Sequence, residues 1–187
     1  ISKTDMGTLN SLTGTGNAYT ISVTDPSVSA AKLNALDAKT TVSVDVSSTT
    51  VTGTLTAIST AFAAGGITGL GSEAITVDSG TVTVAQVNTL AALTTGTLTA
   101  TVSDGDMATL AGITESGNAL SVTVTDTSVA ADALNALNGK TTAAVNATAV
   151  TTLTGAYSNI NTSYTANAAG SITGLGDEAV TTSDNTI

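Results

Sequence analysis

The stretch "SVTDPSVSAAKLNALDAKTT" (22–41) is written nearly twice in this chain. The second version, "SVTVTDTSVAADALNALNGKTT", occupies residues 121–142, and its Leu134 lies 101 positions after the equivalent Leu33. A second pair, "ITGLGSEAIT" from Ile67 and "ITGLGDEAVT" from Ile172, is separated by 105 positions. Repetition on this scale is typical of small units that bury their apolar faces only by stacking on one another.

Shorter motifs divide each long repeat into about four coils. Apolar-alternating stretches that end near Asp or Asn recur at intervals of 20 to 33 residues. The second long repeat gains four residues, which we assign to "YSNINTSYTANAAG" (157–170), where an extended helix or loop is expected. We therefore interpret residues 1–187 as a single continuous solenoid segment, an excerpt of a longer array.

Each coil combines two hydrophobic periodicities. Alternation in "TISVTD" (20–25) predicts a strand with Ile21 and Val23 pointing inward. An L-x-x-L segment follows, and leucines three residues apart, such as Leu33 and Leu36, share one helical face. We predict an α/β fold: a right-handed β-α solenoid with a parallel sheet on one side and short helices on the other. The alternative, favoured by the threonine content, is an all-β solenoid in which the L-x-x-L segments are turns.

Capping residues and turn residues suggest where the elements begin and end. We expect a helix in "SVSAAKLNAL" (27–36), with Asp25 or Ser27 as its N-cap and Pro26 in its first turn. Longer helices are expected within residues 51–65 and 150–170. The glycines of "GITGLG" (66–71) predict a turn.

The charge of the chain excludes several classes of partner. It has 4 Lys+Arg, all of them lysine, against 14 Asp+Glu, for a formal net charge of -10. Nucleic acid binding requires clustered cations that neutralise phosphates, so no nucleic-acid partner is expected. No apolar run reaches membrane-spanning length, and we expect no membrane insertion.

The residue inventory also argues against an enzyme. Without histidine or cysteine, the chain cannot build a Ser-His-Asp or Cys-His arrangement, and it lacks the usual zinc ligands. A polysaccharide lyase on a β-helix would lack the Arg and His expected at its site. We predict no catalytic residues and no cofactor.

One carboxylate pair resembles part of a calcium site. "SDGD" places Asp104 and Asp106 two positions apart beside a glycine, as in a fragment of a calcium loop. The first repeat has Lys3 at the position of Asp104, which favours an N-cap and turn over a Ca²⁺ ligand. These two residues are the weak candidate metal ligands of the sequence.

Hydroxyl residues occupy the outward positions of the predicted strands, where they could form a flat face. They are Thr20, Ser22, Thr24, Thr76, Thr99, Thr101, Ser121, Thr123 and Thr125. Such a face suits ice or surface polysaccharide. Asp45, Asp78, Ala144 and Asn146 are expected to interrupt its columns.

The motifs "LNALDAKTT", "VDVSSTTVTGT" and "ITGLG(S/D)EA(I/V)T" resemble a known repeat style. They are similar to the Thr/Ala/Gly-rich arrays of giant cell-surface or secreted proteins of marine bacteria, of the type associated with swimming in marine cyanobacteria. The resemblance implies a structural segment of a large extracellular fibre, adhesin or cell-surface coat. Separately, the repeats show no evident capping unit, and uncapped strand edges are prone to pairing, so we expect association with neighbouring repeats or copies end to end. An ice- or polysaccharide-binding solenoid is the alternative function.

Overall fold

The computed structural model describes residues 5–184 and shows an α/β chain built from short parallel strands and seven helices. The helices are α1 (Met6–Leu9), α2 (Ala30–Asp37), α3 (Leu55–Ala63), α4 (Val84–Ala91), α5 (Met107–Leu110), α6 (Ala131–Asn138) and α7 (Tyr157–Ala168). The strands are β1 (Ile21–Val23), β2 (Ser27–Ser29), β3 (Val44–Val46), β4 (Thr50–Gly53), β5 (Ile67–Thr68), β6 (Ala74–Val77), β7 (Leu98–Thr101), β8 (Ala119–Thr123), β9 (Ser128–Ala130), β10 (Val145–Asn146), β11 (Thr152–Gly155), β12 (Ile172–Thr173) and β13 (Ala179–Thr182). The predicted α/β class is confirmed, and the helices rule out the all-β alternative.

The chain forms two compact units. Unit 1 comprises the described residues up to Gly80 together with Thr89–Thr99, and unit 2 comprises Thr81–Asn88 with the described residues from Ala100 onward. Both units are built from the same module of two short strands followed by a helix, which we call a ββα segment. In unit 1 the first such segment is β1-β2-α2, and its equivalent in unit 2 is β8-β9-α6.

In unit 1, equivalent strands of successive segments pair in parallel. β1, β3 and β5 form one set, and β2, β4 and β6 form another, to which Leu98 of β7 is added. The register aligns aliphatic residues into a continuous inward column, Val28–Val51–Ile75–Leu98. All four side chains are buried, so the column is the core of this set of strands.

Unit 2 repeats the arrangement. β8, β10 and β12 pair through Val122, Val145 and Ile172, all of them buried. β9, β11 and β13 form the second set. Alternation of aliphatic and hydroxyl residues thus dictates the inward and outward faces, as the sequence predicts.

A second strand in each segment was not predicted. Ser27–Ser29 forms β2 rather than the first turn of a helix, and α2 begins only after its N-cap residue Ser29. Pro26 is therefore not helical. Its carbonyl accepts bonds from the N–H groups of Thr49 and Thr50 (both 3.0 Å), so this proline marks the corner between two strands.

The corner between strand and helix depends on glycine. Gly53 ends β4 at a φ of +151°, and a Cβ there would lie 3.5 Å from the Cβ of Ala30 on the preceding helix. Gly155 occupies the equivalent position in unit 2, at a φ of +134°. Glycine permits this backbone conformation, and the small Ala30 leaves room for the end of β4 beside α2.

The four-residue gain of the second repeat is divided between two places. α7 has 12 residues and its counterpart α3 has 9, so three of the extra residues lengthen the helix as expected. The fourth lies ahead of β11, because Thr50 and Thr152 begin equivalent strands 102 positions apart.

Candidate functional site

Asp104 and Asp106 cap two different helices. Asp104 Oδ2 accepts the backbone N–H of Val84, the first residue of α4, at 2.7 Å. Asp106 is the N-cap of α5, and its Oδ1 accepts the N–H of Thr109 at 2.8 Å. Each carboxylate therefore satisfies a helix N-terminus, as the capping interpretation predicts. Lys3, the residue that occupies the position of Asp104 in the first repeat, lies outside the described residues.

The bond from the first N–H of a helix to an aspartate, as between Val84 and Asp104, recurs at three other helices. In each case the carboxylate lies one segment after the helix that it caps, at a sequence separation of 19 to 27 residues. The donors and acceptors are Met6 and Asp25, Val84 and Asp104, Met107 and Asp126, and Tyr157 and Asp184. The prediction that Asp25 caps the helix following it was wrong, because it caps α1, which precedes it.

Hydrogen bonds stabilise the charged form of the N-cap carboxylates. The hydroxyl of Thr109 and then its N–H lower the pKa of Asp106. The N–H of Thr8 and then its hydroxyl lower the pKa of Asp5 in the first repeat. Among residues 5–184 there is no cluster of three or more acidic, histidine or cysteine side chains that could hold a metal ion.

A glutamate closes each GLG turn. The buried Glu73 accepts the N–H groups of Gly71 (2.7 Å) and Ser72 (3.1 Å) through Oε2. A Cβ at Gly69 would collide with the carbonyl oxygen of Val46, so the turn requires glycine at this position. The prediction of a turn in "GITGLG" is confirmed, except that Ile67 and Thr68 form β5.

The equivalent glutamate in unit 2, Glu178, faces a tyrosine. Burial alone would raise the pKa of Glu178, but the N–H of Gly176 and the nearby hydroxyl of Tyr164 outweigh it and lower that pKa. Burial, followed by the bond to Glu178 and its charge, raises the pKa of Tyr164 to about 12. Asn167 joins α7 to the turn before β13, because its side chain bonds the N–H and the carbonyl of Leu175, both at 3.2 Å.

The "KTT" motif also bonds one segment to another. Thr40 Oγ1 donates to the carbonyl of Tyr19 (2.8 Å) and accepts its N–H (3.1 Å), and Thr141 makes the same pair of bonds with Leu120. The lysine that precedes each threonine donates to an earlier carbonyl, as Lys140 does to Thr114 at 2.9 Å. The motif therefore holds successive segments at a fixed register.

Asparagines inside the L-x-x-L segments link neighbouring helices. Asn34 on α2 donates from Nδ2 to the carbonyl of Ala57 on α3, and Asn135 on α6 donates to that of Asn159 on α7, both at 2.9 Å. Asn135 Oδ1 accepts the hydroxyl of Ser163 at 2.8 Å, whereas Asn34 Oδ1 is buried without a partner. Sequence reasoning missed these residues. The available signal was the Asn shared by both "LNAL" motifs.

The hydroxyl residues form columns that differ in continuity. Seven of the nine predicted outward positions are exposed, and Ser22 and Thr76 are half-buried. Asp45 interrupts one column, between Ser22 and Thr68, as expected. The column Ser29–Thr52–Thr76–Thr99 is uninterrupted. The sequence did not reveal it because Ser29 and Thr52 were assigned to helical segments.

No protein-family model, curated protein sequence or solved structure matches the chain. Along residues 5–184, none of the helices has the length and apolar character needed to span a bilayer.

The capping role of Asp104 can be separated from metal binding. Asp104→Ala removes the acceptor of the Val84 N–H, and we expect the free energy of unfolding to fall by about 1 kcal/mol. Urea unfolding with calcium and with chelator should give the same loss. Asp45→Ala, at an exposed strand position that caps no helix, is the control. A calcium-dependent rise in the wild-type midpoint that Asp104→Ala abolishes would contradict the capping role.

The asparagine links provide a matched pair of variants. Ser163→Ala leaves Asn135 Oδ1 buried without a donor and should lower the free energy of unfolding by about 1–3 kcal/mol. Ala61 stands in α3 where Ser163 stands in α7, so Ala61→Ser should supply the donor that Asn34 Oδ1 lacks. We expect this variant to gain about 1 kcal/mol in urea unfolding. Unchanged stability in Ser163→Ala together with no gain in Ala61→Ser would contradict the pairing of these hydroxyls with the asparagines.

Proposed function

We propose that this chain is a non-enzymatic structural repeat, a segment of right-handed β-α solenoid in a large extracellular fibre, adhesin or cell-surface coat. The observation that carries the proposal is the use of the recurring polar residues. Asp126, Thr141 and Asn135 each bond one ββα segment to the next, as do their counterparts in the other repeat. An enzyme would direct residues of these types toward its substrate. Here their side chains form hydrogen bonds between neighbouring segments.

The proposed mechanism is mechanical. Backbone ladders join the strands of successive segments, and aliphatic columns such as Val122–Val145–Ile172 fill the space behind them. Each segment depends on its neighbours for burial, which is the energetic pattern of repeat proteins. The result is a stiff spacer whose length is set by the number of segments.

The extracellular setting is supported by composition and by the resemblance of the repeat style. A net charge of -10 favours solubility at high concentration. A chain without cysteine needs no particular redox compartment. The similarity to surface-protein arrays of marine bacteria points in the same direction.

End-to-end stacking on neighbouring repeats is the proposed partner interaction. Val180 on β13 is 50% exposed, whereas Ile75 on the equivalent strand β6 is 0% exposed and pairs with Leu98. In unit 1 a further strand, β7, pairs with β6 and covers Ile75. Among the described residues, no strand covers Val180 of β13 in this way. A neighbouring strand with the Thr-Leu-Thr pattern of residues 97–99 would fit against β13, as β7 does against β6.

Adding one segment tests the dependence on stacking. By sequence equivalence, residue 187 corresponds to residue 82, so a copy of residues 83–104 can be joined directly after Ile187. We expect the free energy of unfolding to rise by at least about 1 kcal/mol, because Val180 and the added leucine become buried. Amide exchange of β13 should slow. The control carries Lys in place of the leucine copied from Leu98. Equal stability of the extended chain, its control and the wild type would refute the stacking proposal.

A second candidate function is binding of ice or a surface polysaccharide, favoured by the uninterrupted column Ser29–Thr52–Thr76–Thr99. Parallel strands place successive hydroxyls about 4.8 Å apart, which gives a regular lattice of donors and acceptors. The flanking column Ser27–Thr50–Ala74 extends this surface.

Thermal hysteresis and retention on immobilised polysaccharide would test the hydroxyl surface. Thr76→Lys places a charge in the uninterrupted column and should abolish either activity. Thr173→Lys, in the column already interrupted by Asn146, is the matched control and should have little effect. Wild-type protein that neither depresses freezing nor is retained would eliminate this alternative.

A further inference from the structure

Unit 2 contains an apolar groove between α5 and α6. It has a volume of about 110 Å³ and is lined mainly by Met107, Leu110, Ala133 and Leu137, with Lys140 at the C-terminal end of α6. Because its walls are side chains of two successive segments, the groove is fixed by the stacking itself. It is large enough to accept part of an aromatic ring.

The groove reflects a difference between the two repeats. Ala111 and Ala133 line it, whereas the equivalent positions of the first repeat carry Asn10 and Lys32. Met107 is half-buried, although its counterpart in unit 1, Met6, is only 4% exposed. Smaller residues at these two positions thus leave apolar surface accessible in unit 2.

The chain itself carries a side chain that suits this groove. Tyr157, the first residue of α7, is 70% exposed. Its backbone N–H donates to Asp184 Oδ2 at 2.6 Å, so an exposed carboxylate lies beside it. A tyrosine ring buries much apolar area while its hydroxyl stays at the rim, which is why tyrosine is frequent at interface centres. The acidic side of Tyr157 also complements Lys140 at the groove.

We propose that Tyr157 of one copy docks into the groove between α5 and α6 of a second copy, with Asp184 near Lys140 of that copy. Tyrosine and groove are different surfaces of the same chain, and we propose that the copies associate head to tail. In that arrangement the end copies keep a free tyrosine and a free groove, so the contact can propagate. The inference deepens the proposed structural role and rests on it, by supplying a contact between copies that is separate from edge stacking at β13.

Sedimentation velocity across a range of protein concentrations tests this contact. We expect the wild type to self-associate, and Tyr157→Ser and Ala133→Lys each to weaken association by about tenfold or more, which corresponds to about 1.4 kcal/mol. Ala133→Lys introduces the residue that the first repeat carries naturally, so the fold should tolerate it. Val42→Ser, which alters another exposed apolar residue (37% exposed), is the control and should not change association. Urea unfolding verifies that each variant is folded.

Val180→Lys separates this contact from edge stacking. Association that is lost in Val180→Lys but kept in Tyr157→Ser would overturn the proposed contact and leave the stacking proposal intact. A wild type that stays monomeric at every concentration, even if its groove takes up a free apolar dye, would also overturn it.

Disulfide trapping gives an independent test, because the described chain has no cysteine of its own. Ser158→Cys places a thiol next to Tyr157, and Ala136→Cys places one at the groove. Mixing the two variants under mild oxidation should yield the mixed dimer as the main crosslinked product. Ser43 is an exposed residue of unit 1 that the proposed contact does not involve. The pair Ser43→Cys and Ala136→Cys should therefore yield about tenfold less, and equal yields from both mixtures would refute the docking.

Discussion

In-register pairing of parallel strands is the constraint on which the rest of the structure depends. Successive strands such as β1 and β3 are aligned so that Ile21 faces Val44, and a slip of β1 by one residue would turn Ile21 outward. Because each strand has only two to five residues, no single ladder is strong. Register must therefore be enforced by bonds that repeat with the same spacing as the strands.

Those bonds come from polar residues whose types would suit chemistry in another protein. The carboxylate of Asp126 accepts a helix N–H, the hydroxyl of Thr40 bridges to Tyr19, and the amide of Asn135 reaches the following helix. Each joins residues about one segment apart and leaves the aliphatic columns undisturbed. In a chain with only four cations, backbone N–H groups are the main partners for its acids. This explains why so many carboxylates lie near helix N-termini.

The sequence predicts the main strand and helix of each segment better than the short strand and the caps between them. Leu33 and Leu36 reveal α2 because their spacing has a helical period, and alternation reveals β1. β2 was missed because Ser27–Ser29 is too short for a period of two to be distinguished from the helix that follows. Local capping rules also failed at Asp25, whose partner Met6 belongs to a different segment. The role of Asn34 could not be read directly, since its partner is a backbone carbonyl 23 residues away.

The direction of the strand ladders has a consequence under tension. Within β1–β6 and within β8–β13, paired residues on neighbouring strands are 23 to 27 positions apart along the chain, as between Ile21 and Val44 or Val145 and Ile172. A force that draws neighbouring segments apart loads the few bonds of one short ladder before it reaches the next. Each segment that detaches releases about 80–95 Å of extended chain. A tether built from such segments would lengthen in steps and dissipate work at each step, instead of breaking at one threshold.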